Sequence, residues 1–184
     1  ALATAIAEEW NAVGETVDPR AMPLTGLANA AIDIVTPDPA AFVAQIAAYA
    51  ETDLLAYRAD GPASLVEAQA AEWDPLLAWA RVRYDVHVET VTGIIHQAQP
   101  EATVNRLRDA LAAHGPFQLV ALSPLVTIGG SLIAALALAD RAFDPDHIWA
   151  AVNLEALWQE QRWGTDDLAL QARAAHRADY DAAV

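Results

Sequence analysis

Polar and apolar positions divide the chain into one uncharged stretch and a series of amphipathic ones. From Ala110 to Ala139, between Asp109 and Asp140, no Asp, Glu, Lys or Arg occurs, and His114 is the single titratable side chain. So long an apolar run must be covered, because each Å² left in water forfeits about 25 cal/mol. His114-Gly115-Pro116 stops one helix and starts another, and Gly129-Gly130 marks a second break, with Pro124 a further kink or break. Pro116 to Ala139 is long enough for a membrane span. Its interspersed Gln118, Ser123, Pro124, Thr127 and Ser131, and its many alanines, favour a buried core helix instead.

Around this centre the pattern predicts helices of period 3.6. Leu2, Ile6, Trp10 and Val13 share a face, and Gly14 ends it. Leu24, Ala28, Ala31 and Val35 form the next stripe, with Pro23 near the first position and Asn29 and Asp33 facing out. Asp38-Pro39 caps and starts a third helix, on which Phe42, Ile46, Tyr49 and Tyr57 align with Asp53 among them. Ser64 and Glu67 have capping-box spacing. Val66, Trp73, Leu77, Ala80 and Tyr84 follow with Gln69 on the stripe, and Asp74-Pro75 predicts a kink or a restart. VHVETV, residues 86–91, alternates like a short strand or an extended connector. Helices are expected again after Pro100, from Pro145 to Trp163 with Gly164 as its stop, and after Thr165-Asp166-Asp167. The expected fold is mainly α: seven to nine helices in a single domain over 1–184, bundled about the buried apolar helix, with at most a short β element near 86–91.

Composition narrows the function. The chain is 55% hydrophobic and 19% charged, which excludes disorder, and its formal net charge is −15. Every basic residue is arginine. So acidic a surface excludes nucleic acid and anionic membranes as partners and suits a basic patch on another protein. There is no cysteine, hence no disulfide and no thiolate metal site. The five histidines form no ligand pair, no phosphate-binding loop with its lysine is present, and no G-x-S-x-G elbow occurs. Neither metal nor cofactor is expected. The opening ALATAIAEEW has no basic leader and reads as the middle of a helix, so a piece of a longer protein is expected.

Polar residues on apolar stripes are the candidates for chemistry or recognition, because burying them unpaired is costly. Asp53 and Gln69 are two. In the 145–163 helix, Ile148, Trp149, Val152, Ala156 and Trp163 make the expected inner face. Glu155 and Gln159 border it, and Arg162 is the candidate partner of Glu155. Each acid is open to two readings, a structural hydrogen bond or a binding determinant. Tryptophans crowded between 149 and 163 suit a core or an interface.

Four segments in order, MPLTGLANAAID (22–33), ETDLLAYRA (51–59), EWDPLLAWARVRYDV (72–86) and LEALWQEQRWG (154–164), resemble the assembly chaperone family of the F-type ATP synthase, which binds the alpha subunit of the catalytic sector. The resemblance runs from about Trp10 to Gly164. It implies the helical part of a protein whose small β-rich domain would precede it, binding the alpha subunit without catalysis, in a family found in mitochondria and some bacteria. The alanine-rich, lysine-free composition fits bacterial cytoplasm, with the mitochondrial matrix expected in a eukaryote, and a monomer is expected. Glu155, Gln159 and Trp163-Gly164 match the family's last motif, with Arg162 inside it. Leu157 stands where the family often has a second acid. Asp53 and Arg58 match the second motif, and Trp73 and Asp74 the third. Glu155, Gln159, Arg162 and Trp163 are thus expected to meet the partner, and Asp53, Arg58, Gln69 and Asp74 to be structural. The rival reading is an enzyme or small-ligand binder with a polar cleft at Asp53, Glu155 and Arg162.

Overall fold

A computed structural model describes all 184 residues. Ten α-helices carry the chain: α1 (Leu2–Asn11), α2 (Pro23–Ala30), α3 (Pro39–Ala47), α4 (Ala63–Tyr84), α5 (Glu101–Ala112), α6 (Pro116–Gly129), α7 (Leu132–Ala139), α8 (Pro145–Val152), α9 (Leu154–Trp163) and α10 (Asp167–Ala183). The two β elements are two residues each, β1 (Tyr57–Arg58) and β2 (Val91–Thr92), paired in parallel. The mainly helical expectation therefore holds, and the strand expected at 86–91 is reduced to its far end.

The uncharged stretch is the centre. Leu132 to Ala137 of α7 are all buried, as are Leu119, Leu122, Leu125 and Val126 of α6. A helix apolar on every side must be surrounded, and α4, α5, α6 and α8 pack around α7. No helix is long and apolar enough to cross a membrane. Gly130 makes the α6–α7 corner with φ +67°, a left-handed backbone that costs glycine little. Ser131 caps α7 by accepting from the Ala134 amide at 3.0 Å.

Several boundaries differ from the sequence pattern. The helix expected over 145–163 is two, broken at Asn153, which contributes to ten α-helices where seven to nine were expected. α4 and α6 run through Pro75 and Pro124 without restarting. Fully buried Trp73 and Leu76 flank the first proline, and buried Leu122 and Leu125 the second. Packing on both sides thus offsets one missing helix hydrogen bond. Ser64 and Glu67 form no capping box, since α4 starts after Pro62 without a side-chain cap. The third helix ends at Ala47, and residues 48–58 pass through two 3-10 turns into β1. The alignment of Asp53 with Ile46 and Tyr57 on one helix face was therefore a coincidence of spacing. Leu2 and Trp10 of α1 are exposed. That helix contributes Glu9, whose carboxylate accepts from the Leu24 and Thr25 amides, each at 2.8 Å, at the start of α2. Burial raises the Glu9 carboxyl, but the Thr25 hydroxyl and the two amides together outweigh it and hold the group below its ordinary value.

Candidate functional site

Three of the four motif segments meet on one flank of α4. Gln69 is fully buried. Its side-chain oxygen accepts from the Ala59 amide at 2.8 Å, and its amide nitrogen donates to Glu155 Oε1 at 2.6 Å. One turn on, the Trp73 indole donates to the Ala151 carbonyl at 2.8 Å. The Arg58 guanidinium lies over the Trp73 ring, 5.3 Å from its centroid, and donates to Asp74 Oδ1 at 2.7 Å. The 51–59 segment, α4 and the α8–α9 junction are thus joined by one polar ladder. Its inner members, Gln69 and Trp73, are fully buried and each is paired, whereas Asp74 at its outer end is exposed.

Asp53 belongs to a different part of the molecule. It is 1% exposed. One carboxylate oxygen accepts from the Leu55 amide at 3.1 Å, and the other from the Ile133 amide at 3.0 Å, in the first turn of α7. The Leu54 amide adds a bond to the Gly130 carbonyl at 2.9 Å. Asp53 therefore clamps the 53–55 turn to the α6–α7 corner. Burial pushes its carboxyl up to about 6, against the pull of the Ile133, Ser131, Leu55 and Leu132 donors, which favour the ionised form.

Glu155 and Arg162 are not partners. Seven residues along a helix separate them by about 10 Å of rise, and each has another neighbour: Gln69 for Glu155, and the Trp158 ring for Arg162, 5.2 Å from the guanidinium. Asp53, Glu155 and Arg162 consequently form no common cleft. The basis for the enzyme reading is removed. No group of three or more His, Asp or Glu could hold a metal.

The far end of α9 is open. The inner face expected there is wrong for two members: Ala156 is exposed and Trp163 is 71% exposed. Once the helix breaks at Asn153, α9 takes a new direction, and of its residues Leu154 alone is buried. Gln159 and Arg162 are exposed as well. Trp158 and Trp163 pack edge to face at 5.7 Å. With Arg162 on the other ring, they form a small aromatic–arginine cluster, the composition that dominates binding energy at protein interfaces. Leu168 of α10 is exposed too. Sequence reasoning missed what steadies this end, the Arg173–Glu160 ion pair between α10 and α9. It also missed Tyr180, buried near the other end of α10, whose hydroxyl donates to the Pro145 carbonyl at 2.8 Å. Pairs between helices far apart in sequence leave no periodic signal. Glu160 and Arg173 could be found by their opposite charges alone.

A model of the family described as "ATP12 chaperone protein" matches residues 1–81. The mitochondrial protein atp12 of Schizosaccharomyces pombe is 28% identical over 174 residues, 89% of this chain. The chain spans 60% of that relative's length. Among solved structures, Atp12 from Paracoccus denitrificans is 43% identical, with a TM-score of 0.92 over 99% of this chain and 78% of its own. The Atu1473 protein of Agrobacterium tumefaciens is 36% identical, with a TM-score of 0.93 over 99% of this chain and 68% of its own.

Proposed function

This chain belongs to the ATP12 chaperone family, and from that premise we propose that it is a holdase for assembly of the F-type ATP synthase. It acts without catalysis or cofactor. The client is the unassembled alpha subunit of the catalytic sector, which exposes the apolar surface that beta subunits later cover. Such surfaces aggregate when left free. The chaperone covers one until beta displaces it. Residues 1–184 act here as one helical unit and as a monomer, in the bacterial cytoplasm.

The observation that carries this reading is the exposed Trp163–Trp158–Arg162 cluster at the end of a helix whose base is fixed through Glu155 and Gln69. A rigid aromatic anchor binds at small entropic cost, and guanidinium groups add directed donors. Glu155, Gln159, Arg162 and Trp163 line the proposed contact along one helix. Asp53, Arg58, Gln69 and Asp74 hold the helices that present it.

Glu155→Gln tests the role of the charge on this helix. The glutamine retains an acceptor for the Gln69 amide, so melting should shift by less than about 1 kcal/mol in stability. Loss of the charge should weaken binding to isolated alpha subunit, by roughly 2 kcal/mol or more if the carboxylate meets a cation there. Calorimetry and a binding titration on the same variant read both. Normal affinity for the alpha subunit removes Glu155 from the contact, and loss of folding reassigns it to the structural ladder.

A further inference from the structure

The Gln69 amide is held in one orientation by the small sheet behind it. The peptide group between Arg58 and Ala59 is planar, so its carbonyl and its N–H point in opposite directions. The carbonyl accepts from the Gly93 amide at 2.8 Å, beside the β1–β2 pair. The N–H points the other way and donates to Gln69 Oε1 at 2.8 Å. The Arg58 side chain steadies the same turn, donating from Nε to the Leu55 carbonyl at 3.3 Å and from Nη2 to Asp74 at 2.7 Å. A backbone N–H can only donate, so the Gln69 oxygen must face Ala59 and its NH2 group must face Glu155. The reversed amide would set N–H against N–H at one end and oxygen against carboxylate at the other. Gln69 is fully buried, so water relieves neither contact.

At the far end, Glu155 spends one oxygen on the fold. Oε1 accepts from Gln69 Nε2 at 2.6 Å. Oε2 makes no hydrogen bond within the chain and is not enclosed. No arginine or histidine lies within ion-pair distance of it. Glu160, the other acid of α9, is by contrast paired with Arg173. Glu155 is half-buried in the first turn of α9, where the helix N-terminus favours a carboxylate. Fixing this long side chain by one oxygen removes rotamer freedom that binding would otherwise have to remove.

We propose that Gln69 is the positioning residue of the client contact: fixed by the Ala59 amide, it holds Glu155 by one oxygen and leaves the other, Oε2, to a basic side chain of the client. This rests on the chaperone reading and adds to it a residue that acts on the contact without touching the client. It also gives β1 and β2 a purpose, since their pairing orients the peptide group on which Gln69 depends. The client group is a guanidinium or an ammonium, because Oε2 is a carboxylate oxygen that no cation of the chain neutralises.

The test uses the chain with isolated alpha subunit as the client, comparing melting with affinity measured well below the melting temperature. Gln69→Met keeps the length of the side chain and removes both of its bonds. It should lower melting and also weaken binding roughly three- to tenfold, through the ordering of a freed Glu155. Exchanging the pair, Gln69→Glu together with Glu155→Gln, keeps an acceptor for the Ala59 amide and a bond between α4 and α9. It moves the charge from α9 to the enclosed position. The exchanged pair should melt above Gln69→Met, yet bind at least roughly tenfold more weakly than the wild type and with little dependence on salt. Wild-type affinity in Gln69→Met overturns the inference, since Gln69 then only supports the fold. Wild-type affinity in the exchanged pair also overturns it, since the client then needs the ladder and not the free oxygen. Both results leave the chaperone reading standing, whereas absence of any binding by the wild type overturns both readings. Should the variants fail to fold, NMR on the wild type decides: the Gln69 side-chain amide signals should shift when the client binds, and unshifted signals overturn the inference.

Discussion

Asp53→Ala should lower the melting temperature by roughly 10 °C, the largest stability loss expected of any substitution considered. The carboxylate accepts from the Leu55 and Ile133 amides inside the core. Alanine leaves these donors buried without partners, at about 1–3 kcal/mol each, and opens a void at the α6–α7 corner. A total near 3–5 kcal/mol corresponds to that shift in a chain of this length. The same residue makes stability depend on pH. Its folded carboxyl is pushed up by burial to about 6, above its ordinary value of 3.8. The folded state therefore binds the proton more tightly than the unfolded state, and this contribution is fully present below about pH 4. It is lost as pH rises from there through about 6, and is flat above. The difference is on the order of 3 kcal/mol. Asp53→Asn should abolish that slope while leaving the rest of the pH profile in place. Denaturant titrations between pH 4 and 8 on the wild type and the asparagine variant measure it. A wild-type stability that rises between pH 4 and 6 by the amount the variant lacks reverses the sign and contradicts the burial argument.

Trp163→Ala should do the opposite: little to stability, much to binding. The side chain is 71% exposed and touches Trp158 edge to face. Its removal should leave the melting temperature within about 2 °C, as for other surface substitutions. At an interface, truncating a central tryptophan costs about 2–4 kcal/mol, or roughly 30-fold to 1,000-fold in affinity. Arg162→Ala should cost less, since Trp158 remains. Titration calorimetry with alpha subunit gives the affinities. A Trp163→Ala variant that binds like the wild type moves the contact away from α9, and one that melts early makes Trp163 a packing residue.

How far the sequence foretells this molecule varies by residue. The apolar run 117–139 is legible because a long uncharged segment has few places to go, and its Gly129-Gly130 corner falls where the left-handed backbone requires it. Asp38-Pro39, Asp144-Pro145 and Gly115-Pro116 mark helix starts through local capping chemistry. Asp53 illustrates the limit. Its enclosure was legible, but its element was not, since a stripe running across 46–57 ignored the Thr52-Asp53-Leu54 turn, where aspartate caps a short 3-10 segment. Glu155 shows the same limit for partners. Local spacing offers Arg162; the actual donor, Gln69, lies 86 residues away. Such a pairing is set by how α4 and α9 pack, and one sequence does not encode it in any period. The open end of α9 follows from the break at Asn153, which has no proline or glycine to announce it.

Light scattering of refolding alpha subunit measures the central claim most directly. With stoichiometric wild-type chain and no nucleotide, aggregation should be suppressed, and added beta subunit should release the client into a soluble complex. Trp163→Ala should protect only at large excess. Scattering unchanged by stoichiometric chain, or protection that requires ATP hydrolysis by this chain, would contradict the account.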